Sequence, residues 1–245
     1  MGVYKLPNSV IDEIRSLTAR FWWENSDARR RVHWLNWEVM CTPKCLGGMG
    51  FRDMGVFNEA LLGKQAWRLI NNPGSLFGRV MKGKYFPHSD FLESSLGFNG
   101  SYAWRGIWGA KSLVKEGVVW SVGDGSKIRI FEDPWLADEK GRFVFTLGID
   151  RLNVVKDLIN VETNDWDYEL LFENFEESDV KCIMTIPLSL RTQDDILTWA
   201  FSKDGVYDVK SAYMIEKTCD LGAFHQVWVD IWGLDTIPKV KLFLW

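Results

Sequence analysis

The chain has 245 residues, of which 47% are hydrophobic and 25% are charged, and its formal net charge is −4. This balance is typical of a folded globular protein of one or two domains and excludes disorder over most of the chain. No apolar run reaches the roughly 18 residues that span a membrane, and the first residues lack the apolar core of a secretory signal. We therefore expect a soluble intracellular protein without a membrane partner, and the choice between nucleus and cytoplasm stays open.

Tryptophan is unusually frequent in this sequence, with 14 residues. A packed tryptophan removes roughly 150–250 Å² of surface from water. If most of these indoles were exposed, the surface of the protein would be adhesive. We therefore expect most of them in a hydrophobic core or in an interface with a neighbouring protein.

The first half of the chain has the periodicity of α-helices. Val10, Ile14, Leu17 and Phe21 share one face of a predicted helix that begins near Asn8. The same period predicts three more helices, at 57–71, about 76–84 and about 104–115. An Asn-Asn-Pro-Gly run ends the first of these three, because proline lacks the amide donor and disfavours the helical conformation before it.

The periodicity then changes from helical to alternating. Val118, Trp120 and Val122 alternate before a Gly-Asp-Gly-Ser turn, and Ile128 and Ile130 alternate after it. Alternation on both sides of an Asp-Gly turn predicts a first β-hairpin.

The last third of the chain is predicted to mix short helices with one more pair of strands. Residues 196–201 and 206–209 form a second predicted β-hairpin, joined through Asp204-Gly205. Short helices are predicted near 154–159, 168–174, 178–184, 210–217 and 227–232, and Pro238 is expected to open another. The predicted fold class is therefore α+β, helix-dominated, with two short β-hairpins.

Charge is divided unevenly along the chain. Residues 1–135 carry 18 Lys and Arg against 13 Asp and Glu, a net charge of +5, whereas residues 136–245 carry 11 against 20, a net charge of −9. Periodicity is weak where the two parts meet. We therefore predict a helical region at 1–136 that ends in the first β-hairpin, a linker at 137–153, and an acidic region at 154–245.

Long phrases of this sequence follow one another in the order seen in one known family. In the first half they are FWW at 21–23, HWLNW at 33–37, GGMGFRD at 47–53, FNEALLGKQAWRL at 57–69, KYFP at 84–87 and SYAWRGIW at 101–108. In the second half they are WSVGDGSKIRIFEDPWL at 120–136, DDILTWAFSKDGVYDVKSAY at 194–213 and IPKVKLFLW at 237–245. The set resembles the C-terminal region of plant LINE-type (non-LTR) retrotransposon reverse transcriptases. Its last two phrases resemble the start of that family's reverse transcriptase zinc-binding domain.

The resemblance implies a fragment that lacks the catalytic parts of its family. In those proteins the polymerase carboxylates precede the matching region, and the zinc ligands and any ribonuclease H domain follow it. We therefore expect no enzymatic activity, and no cofactor because the zinc ligands of the family domain would lie beyond Trp245. The implied ancestral role is to hold nucleic acid, template or primer, against the polymerase.

This origin also implies the partners. They are RNA or an RNA–DNA hybrid, or else a protein such as the missing polymerase core. Two alternatives to nucleic-acid holding stay open, a domesticated protein-interaction module and a non-functional relic. The apolar residues at 240–245 would suit the interaction module.

The basic first half contains the candidate nucleic-acid-binding residues. Cations neutralise phosphates, and aromatic planes stack on bases. The candidates for phosphate contacts are Arg30, Arg31, Lys64, Arg68, Lys82 and Lys84, and those for stacking are Trp22, Trp23, Trp34 and Trp37. The competing interpretation is that the cations lie on solvated helix faces and that the tryptophans form the core.

Two motifs resemble catalytic or metal-binding sites. Asp194-Asp195 has the composition of a polymerase metal site, but the residues before it lack the aromatic flank of such a site. Cys41 and Cys45 have a C-x₃-C spacing, but a structural zinc needs four ligands and the other cysteines are isolated. We therefore expect no catalytic residue and no metal ligand at either motif.

Overall fold

The computed structural model describes residues 1–23, 35–136, 141–148, 151–160, 162–188, 193–218, 226–237, 240–241 and 244. Within these ranges α-helices predominate, and two small antiparallel sheets have two strands each. The predicted helix-dominated α+β class is therefore confirmed.

The chain divides into two compact units. Unit 1 consists of Met1–Lys115 with Asp208–Trp245, and unit 2 consists of Glu116–Tyr207. Their bounds differ from the domains predicted from charge and periodicity. The division into 1–136, a linker at 137–153, and 154–245 stays a prediction.

Most helices lie where the periodicity predicts them. In chain order the described α-helices are α1 (Asn8–Trp23), α2 (Trp37–Met40), α3 (Met54–Asn71), α4 (Leu76–Tyr85), α5 (Tyr102–Gly109), α6 (Lys111–Gly117), α7 (Tyr168–Asn174), α8 (Glu177–Met184), α9 (Val209–Thr218) and α10 (Gln226–Gly233). The one helix predicted near 104–115 is instead two, α5 and α6. Residues 154–159 form a 3-10 helix at Val155–Leu158 followed by a strand. Pro238, the predicted start of a last helix, lies outside the described residues.

Helix α3 is the centre of unit 1. Asp53 caps its first turn, because the Asp53 Oδ1 atom accepts hydrogen bonds from the N–H groups of Gly55 (2.9 Å) and Val56 (3.3 Å). Helices α1, α4, α5 and α9 pack against α3. The apolar side chains that α3 buries are Ala60, Leu62, Ala66, Trp67 and Leu69.

Asn58 joins the start of the chain to α3. Its side chain is only 2% exposed. The Oδ1 atom accepts from the N–H of Leu6 (2.7 Å), and the Nδ2 group donates to the carbonyls of Met1 (2.6 Å) and Tyr4 (3.0 Å). A buried amide is stable there because its donor and its acceptor are both used.

Unit 2 has a hydrophobic core of its own, and it contains the strands of the described residues. These are β1 (Val118–Ser121), β2 (Ile159–Asn160), β3 (Asp165–Trp166) and β4 (Ile196–Trp199). Strand β1 pairs antiparallel with β4, and β2 pairs antiparallel with β3. Large side chains of this core include Trp135, Leu136, Leu158, Trp166 and Leu171.

The pairing of β1 and β4 corrects the two predicted β-hairpins. The sequence predicts that each strand pairs with the residues just after its own Asp-Gly turn. Instead Val118 lies opposite Trp199, and Ser121 lies opposite Ile196. Residues 128–130 contribute only an isolated bridge from Arg129, and 206–208 form no strand. The alternating pattern correctly located β1 and β4 but not their partners, because the turn after β1 is hydrogen-bonded to the residue before β4.

Candidate nucleic-acid interface

Positive charge is concentrated in unit 1. Unit 1 has 20 Lys and Arg against 14 Asp and Glu, a net charge of +6, whereas unit 2 has 9 against 19, a net charge of −10. The positive charge of unit 1 attracts a polyanion, and the negative charge of unit 2 repels it. Unit 1 therefore carries the net positive charge, and it also contains all the predicted cations.

Helix α3 carries a row of side chains on the side opposite to its buried residues. Phe57, Leu61, Lys64 and Arg68 are spaced by four, three and four residues, which places them on one face. Lys64 and Arg68 are exposed, and Phe57 and Leu61 are half-buried. At 1.5 Å per residue the row is roughly 16 Å long, and its two cations, Lys64 and Arg68, are roughly 6 Å apart along the axis, which corresponds to about two phosphate steps along one strand of a duplex.

Aromatic rings contact two cations, Arg68 at the C-terminal end of this row and Arg52 just before α3. The guanidinium carbon of Arg52 lies 4.3 Å from the centre of the Phe57 ring, and that of Arg68 lies 5.7 Å from the Phe77 ring. Arg68 also donates from Nη1 to Oε1 of Gln65 at 3.2 Å. A guanidinium that already packs on an aromatic ring loses less side-chain conformational entropy when it binds a phosphate. These arginines are therefore partly preorganised.

Helix α4 carries the other two predicted cations that the structure describes. Lys84 is exposed, with its ammonium 5.2 Å from the centre of the Tyr85 ring. Lys82 lies 3.7 Å from the carboxylate of Asp90. Because the Asp90 side chain is 89% exposed and that of Lys82 is 42% exposed, this ion pair is screened by water and contributes little.

The described tryptophans among the candidates belong to an aromatic cluster around Phe51. Trp37 is only 9% exposed and stacks on Phe51, with ring centres 5.0 Å apart. Trp22 meets the same ring edge-on at 4.8 Å but keeps 40% of its surface exposed. Trp23 is partly buried against this cluster. The packing favours a structural role for Trp37 and Trp23, and it leaves Trp22 accessible.

Three predicted site residues, Arg30, Arg31 and Trp34, lie outside the residues that the structure describes. The nucleic-acid roles of all ten candidates stay predictions. Of the described ones, α3 and α4 place Lys64, Arg68, Lys82 and Lys84 on neighbouring helices of unit 1. The tryptophans instead share their cluster with Met40 and Cys41.

Sequence reasoning missed two further cations beside this row. Arg52 and Lys210 line a cleft of about 390 Å³ together with Phe57 and Tyr213. Asp208 lines the same cleft and reduces its positive charge. Arg52 lies inside the GGMGFRD phrase, so that phrase was the available signal, but the approach of Lys210 depends on how α9 packs on α3.

Asp53 is also part of a half-buried polar cluster with α9. Its Oδ2 atom accepts a hydrogen bond from Nζ of Lys217 at 2.9 Å, and its N–H donates to the hydroxyl of Tyr213 at 2.9 Å. Burial by itself raises the pKa of Asp53, but the hydrogen bond and the charge of Lys217, together with the backbone hydrogen bonds from Val56 and Gly55, outweigh burial, so the pKa lies below its ordinary value. Burial also raises the pKa of Tyr213. These groups fasten α9 to the start of α3.

The paired aspartates have a structural role. Asp195 is 5% exposed, and it accepts three backbone hydrogen bonds from the turn after β1. Oδ1 accepts from Gly123 (2.7 Å) and Gly125 (2.9 Å), and Oδ2 accepts from Lys127 (2.8 Å). Asp194 points outward, where it pairs with the exposed ammonium of Lys127 at 3.1 Å. The two carboxylates therefore serve different partners.

The C-x₃-C motif lies near the aromatic cluster. Burial, followed by the charge of Asp53, raises the pKa of the Cys41 thiol to about 11. Cys41 is buried and Cys45 is half-buried. In the described part of the chain, no three His, Cys, Asp or Glu side chains are grouped to hold a metal ion. No described helix has the length and apolar character required to cross a membrane.

Two plant proteins are similar to this chain. The uncharacterized mitochondrial protein AtMg00310 of Arabidopsis thaliana is 38% identical over 140 residues, which are 57% of this chain and 91% of that protein. The chain belongs to the AtMg00310 family. It also contains more residues than the part shared with AtMg00310.

A longer relative extends the similarity of this AtMg00310-family member to its whole length. The Arabidopsis thaliana protein At1g65750, which is named as a candidate ribonuclease H protein, is 27% identical over 263 aligned positions. The alignment covers 100% of this chain and 41% of that protein. No family model and no solved structure matches the chain.

Proposed function

We propose that this chain derives from the C-terminal region of a LINE-type retrotransposon reverse transcriptase, and that unit 1 holds RNA or an RNA–DNA hybrid without catalysing a reaction. The observation that carries the proposal is the pair of exposed cations, Lys64 and Arg68, on one face of α3, together with the contacts that Arg52 and Arg68 make with aromatic rings. The similarity to At1g65750 over the whole chain supports the retroelement origin. In this proposal, residues 194–245 derive from the start of the family's zinc-binding domain.

The physical argument for nucleic acid rests on the spacing and the exposure of these cations. Lys64 and Arg68 project from one face of α3 and are exposed. They are four residues, or roughly 6 Å, apart along the helix axis, and a duplex strand presents one phosphate per 3.4 Å of its axis, so the pair can contact about two phosphates without any change in the helix. The net charge of +6 on unit 1 adds a longer-range attraction.

The proposed role is non-catalytic, and the buried Asp195 and half-buried Asp53 carboxylates make structural contacts. Both oxygens of Asp195 accept backbone hydrogen bonds at 2.7 to 2.9 Å. Asp53 caps α3 and pairs with Lys217. No cofactor is part of this proposal.

The test is binding of the full chain to a labelled RNA–DNA hybrid across a salt series, measured by fluorescence anisotropy. We expect the affinity to fall steeply with salt, because phosphate contacts release counterions. The double variant Lys64→Ala/Arg68→Ala should reduce the magnitude of the log–log slope by roughly 2. The control Lys156→Ala/Lys203→Ala removes two exposed cations from unit 2 and should leave the slope unchanged.

A conservative variant separates charge from preorganisation. Arg68→Lys keeps the charge but not the planar group above Phe77, so the salt slope should persist while the affinity falls. A folded wild-type chain that does not bind the hybrid, or a slope that both double variants change equally, would contradict the proposal.

A protein partner is the second candidate function, and α1 favours it. Helix α1 buries none of its residues, and Phe21 and Leu17 are 87% and 54% exposed. An apolar helix face in water suits an interface with another protein. Binding through this face should survive high salt and should be lost in Leu17→Ser/Phe21→Ser, whereas hybrid binding should not.

A further inference from the structure

Unit 2 contains a cleft of about 740 Å³ beside the β1–β4 sheet. The volume is within the range of small-molecule sites, about 300–1,000 Å³. Most of the lining is apolar or aromatic, with Trp120, Trp135 and Phe201 as its largest side chains. Hydroxyl groups come from Ser121 and from two threonines, and Arg142 supplies a guanidinium.

The backbone and side chain of Arg142 are both held in place. Its carbonyl accepts hydrogen bonds from the N–H groups of Trp135 (2.8 Å) and Leu136 (3.0 Å). Its guanidinium carbon lies 4.7 Å from the centre of the Phe201 ring, and Nη1 donates to the carbonyl of Glu116. The cation is therefore positioned before any ligand arrives.

Arg142 has no carboxylate partner among the residues that the structure describes. The ion pairs of unit 2 there involve Lys127, Arg129 and Lys181 instead. A guanidinium has five N–H donors, and the hydrogen bond to Glu116 uses only one nitrogen. Burial lowers the pKa of Arg142, which indicates a partly desolvated cation that an anion would stabilise.

The lining also restricts the kind of anion. None of the residues that line the cleft is acidic, and Arg142 is the cation among them. The net charge of −10 on unit 2 disfavours polyanions such as a nucleic-acid strand. The flat aromatic walls favour a planar apolar ligand, which buries its faces against the rings.

We propose that this cleft binds a small organic monoanion, in which one carboxylate pairs with Arg142 and a planar apolar body lies against Trp120 and Phe201. Carboxylates match the fork of a guanidinium with two parallel hydrogen bonds. This site lies in unit 2 and is independent of the nucleic-acid role proposed for unit 1.

The test uses 2-naphthoate as the probe and the full chain with ¹⁵N-labelled indole groups. Titration should shift the indole N–H signals of Trp120 and Trp135, which line the cleft, and leave that of Trp104, which is buried in unit 1. The neutral analogue 2-naphthalenemethanol should bind at least about tenfold more weakly, because it cannot form the charged pair. Unshifted cleft signals, or equal binding of the two compounds, would overturn the proposal.

Two variants and one further ligand sharpen this test. Arg142→Gln should weaken 2-naphthoate binding about tenfold or more, whereas Lys156→Gln removes an exposed cation outside the cleft and should not. Because Arg142→Gln also loses a hydrogen bond to Glu116 and could unfold, the comparison of acid and alcohol in the wild-type chain decides the outcome without it. Tighter binding of uridine monophosphate than of 2-naphthoate would reject a monocarboxylate site.

Discussion

The ammonium of Lys217 lies 2.9 Å from the carboxylate of Asp53, and the two side chains are only 17% and 12% exposed. The pair joins the phrase GGMGFRD to helix α9, and Lys217 follows Asp53 by 164 residues in the chain. The hydroxyl of Tyr213 accepts a hydrogen bond from the backbone N–H of Asp53. Unit 1 is therefore closed by a polar contact between its two separate chain segments.

Replacing Asp53 tests this contact. Asp53→Ala removes the cap of α3 and leaves Lys217 without its partner, so the free energy of unfolding should fall by about 3 kcal/mol. Urea denaturation followed by near-ultraviolet circular dichroism measures the change. Asp12→Ala, which removes a carboxylate beside Arg15 on the surface of α1, should change stability by less than about 0.5 kcal/mol. Equal effects of the two variants would show that the pair with Lys217 does not stabilise unit 1.

The same carboxylate predicts how stability depends on pH. The pKa of Asp53 lies below its ordinary value of 3.8, so the unfolded chain binds this proton more tightly than the folded chain. The contribution is therefore complete above the ordinary pKa and is lost as pH falls through the lower folded-state value. Stability curves of wild type and Asp53→Asn should converge at the acidic end. Parallel curves down to that end would contradict the low pKa.

Asp195 and Asp194 form a matched pair for a second test. Asp195→Ala removes the acceptors of three backbone N–H groups in the turn after β1, so we expect a loss of about 3 kcal/mol or more. Asp194→Ala removes only an exposed ion pair with Lys127 and should cost at most about 1 kcal/mol. Thermal and urea denaturation measure both. If the two variants were equally stable, the hydrogen bonds of Asp195 would not hold the turn.

Two glycines with the same φ distinguish the cost of a positive φ from the cost of a steric clash. Gly125 and Gly97 both have φ of +71°, but a Cβ atom at Gly125 would lie 2.6 Å from the backbone nitrogen of Lys156, whereas nothing lies within 4 Å at Gly97. Gly97→Ala should cost about 1 kcal/mol from φ alone. Gly125→Ala should cost on the order of 3–4 kcal/mol, because the backbone of Lys156 must move. Similar melting temperatures for the two variants would contradict this difference.

The indoles of Trp37 and Trp22 distinguish core packing from nucleic-acid stacking. Trp37→Ala should destabilise the protein by about 3–5 kcal/mol because the side chain is 9% exposed against Phe51. Trp22→Ala should cost less, since 40% of its surface is already in water. Anisotropy with the labelled hybrid, at a temperature where both variants are folded, should show weaker binding only for Trp22→Ala. Weaker binding for Trp37→Ala would instead show that Trp37 contributes to hybrid binding.

Local elements of this fold could be predicted from the sequence because their causes are local. The helix at Tyr168–Asn174 has its cap, Asp167, and its apolar residues within one short segment. The exposure of Lys64 and Arg68 follows from the helical period of α3. The contact between Arg68 and the Phe77 ring was not predictable, because Phe77 belongs to another helix and reaches Arg68 only through the packing of the two helices.

Sequence alone determined the helix-dominated class, most helix positions and the charge difference between the parts of the chain, since each depends on spacing and composition over short ranges. Tertiary structure alone decided that β1 pairs with β4, that Asp195 holds a turn about 70 residues away, and that Lys217 meets Asp53. A carboxylate accepts a hydrogen bond from whichever donor the folded backbone brings to it, and no local pattern specifies that donor. No local pattern specifies the surroundings of Arg142 either, because its cleft is assembled from five separate segments of unit 2.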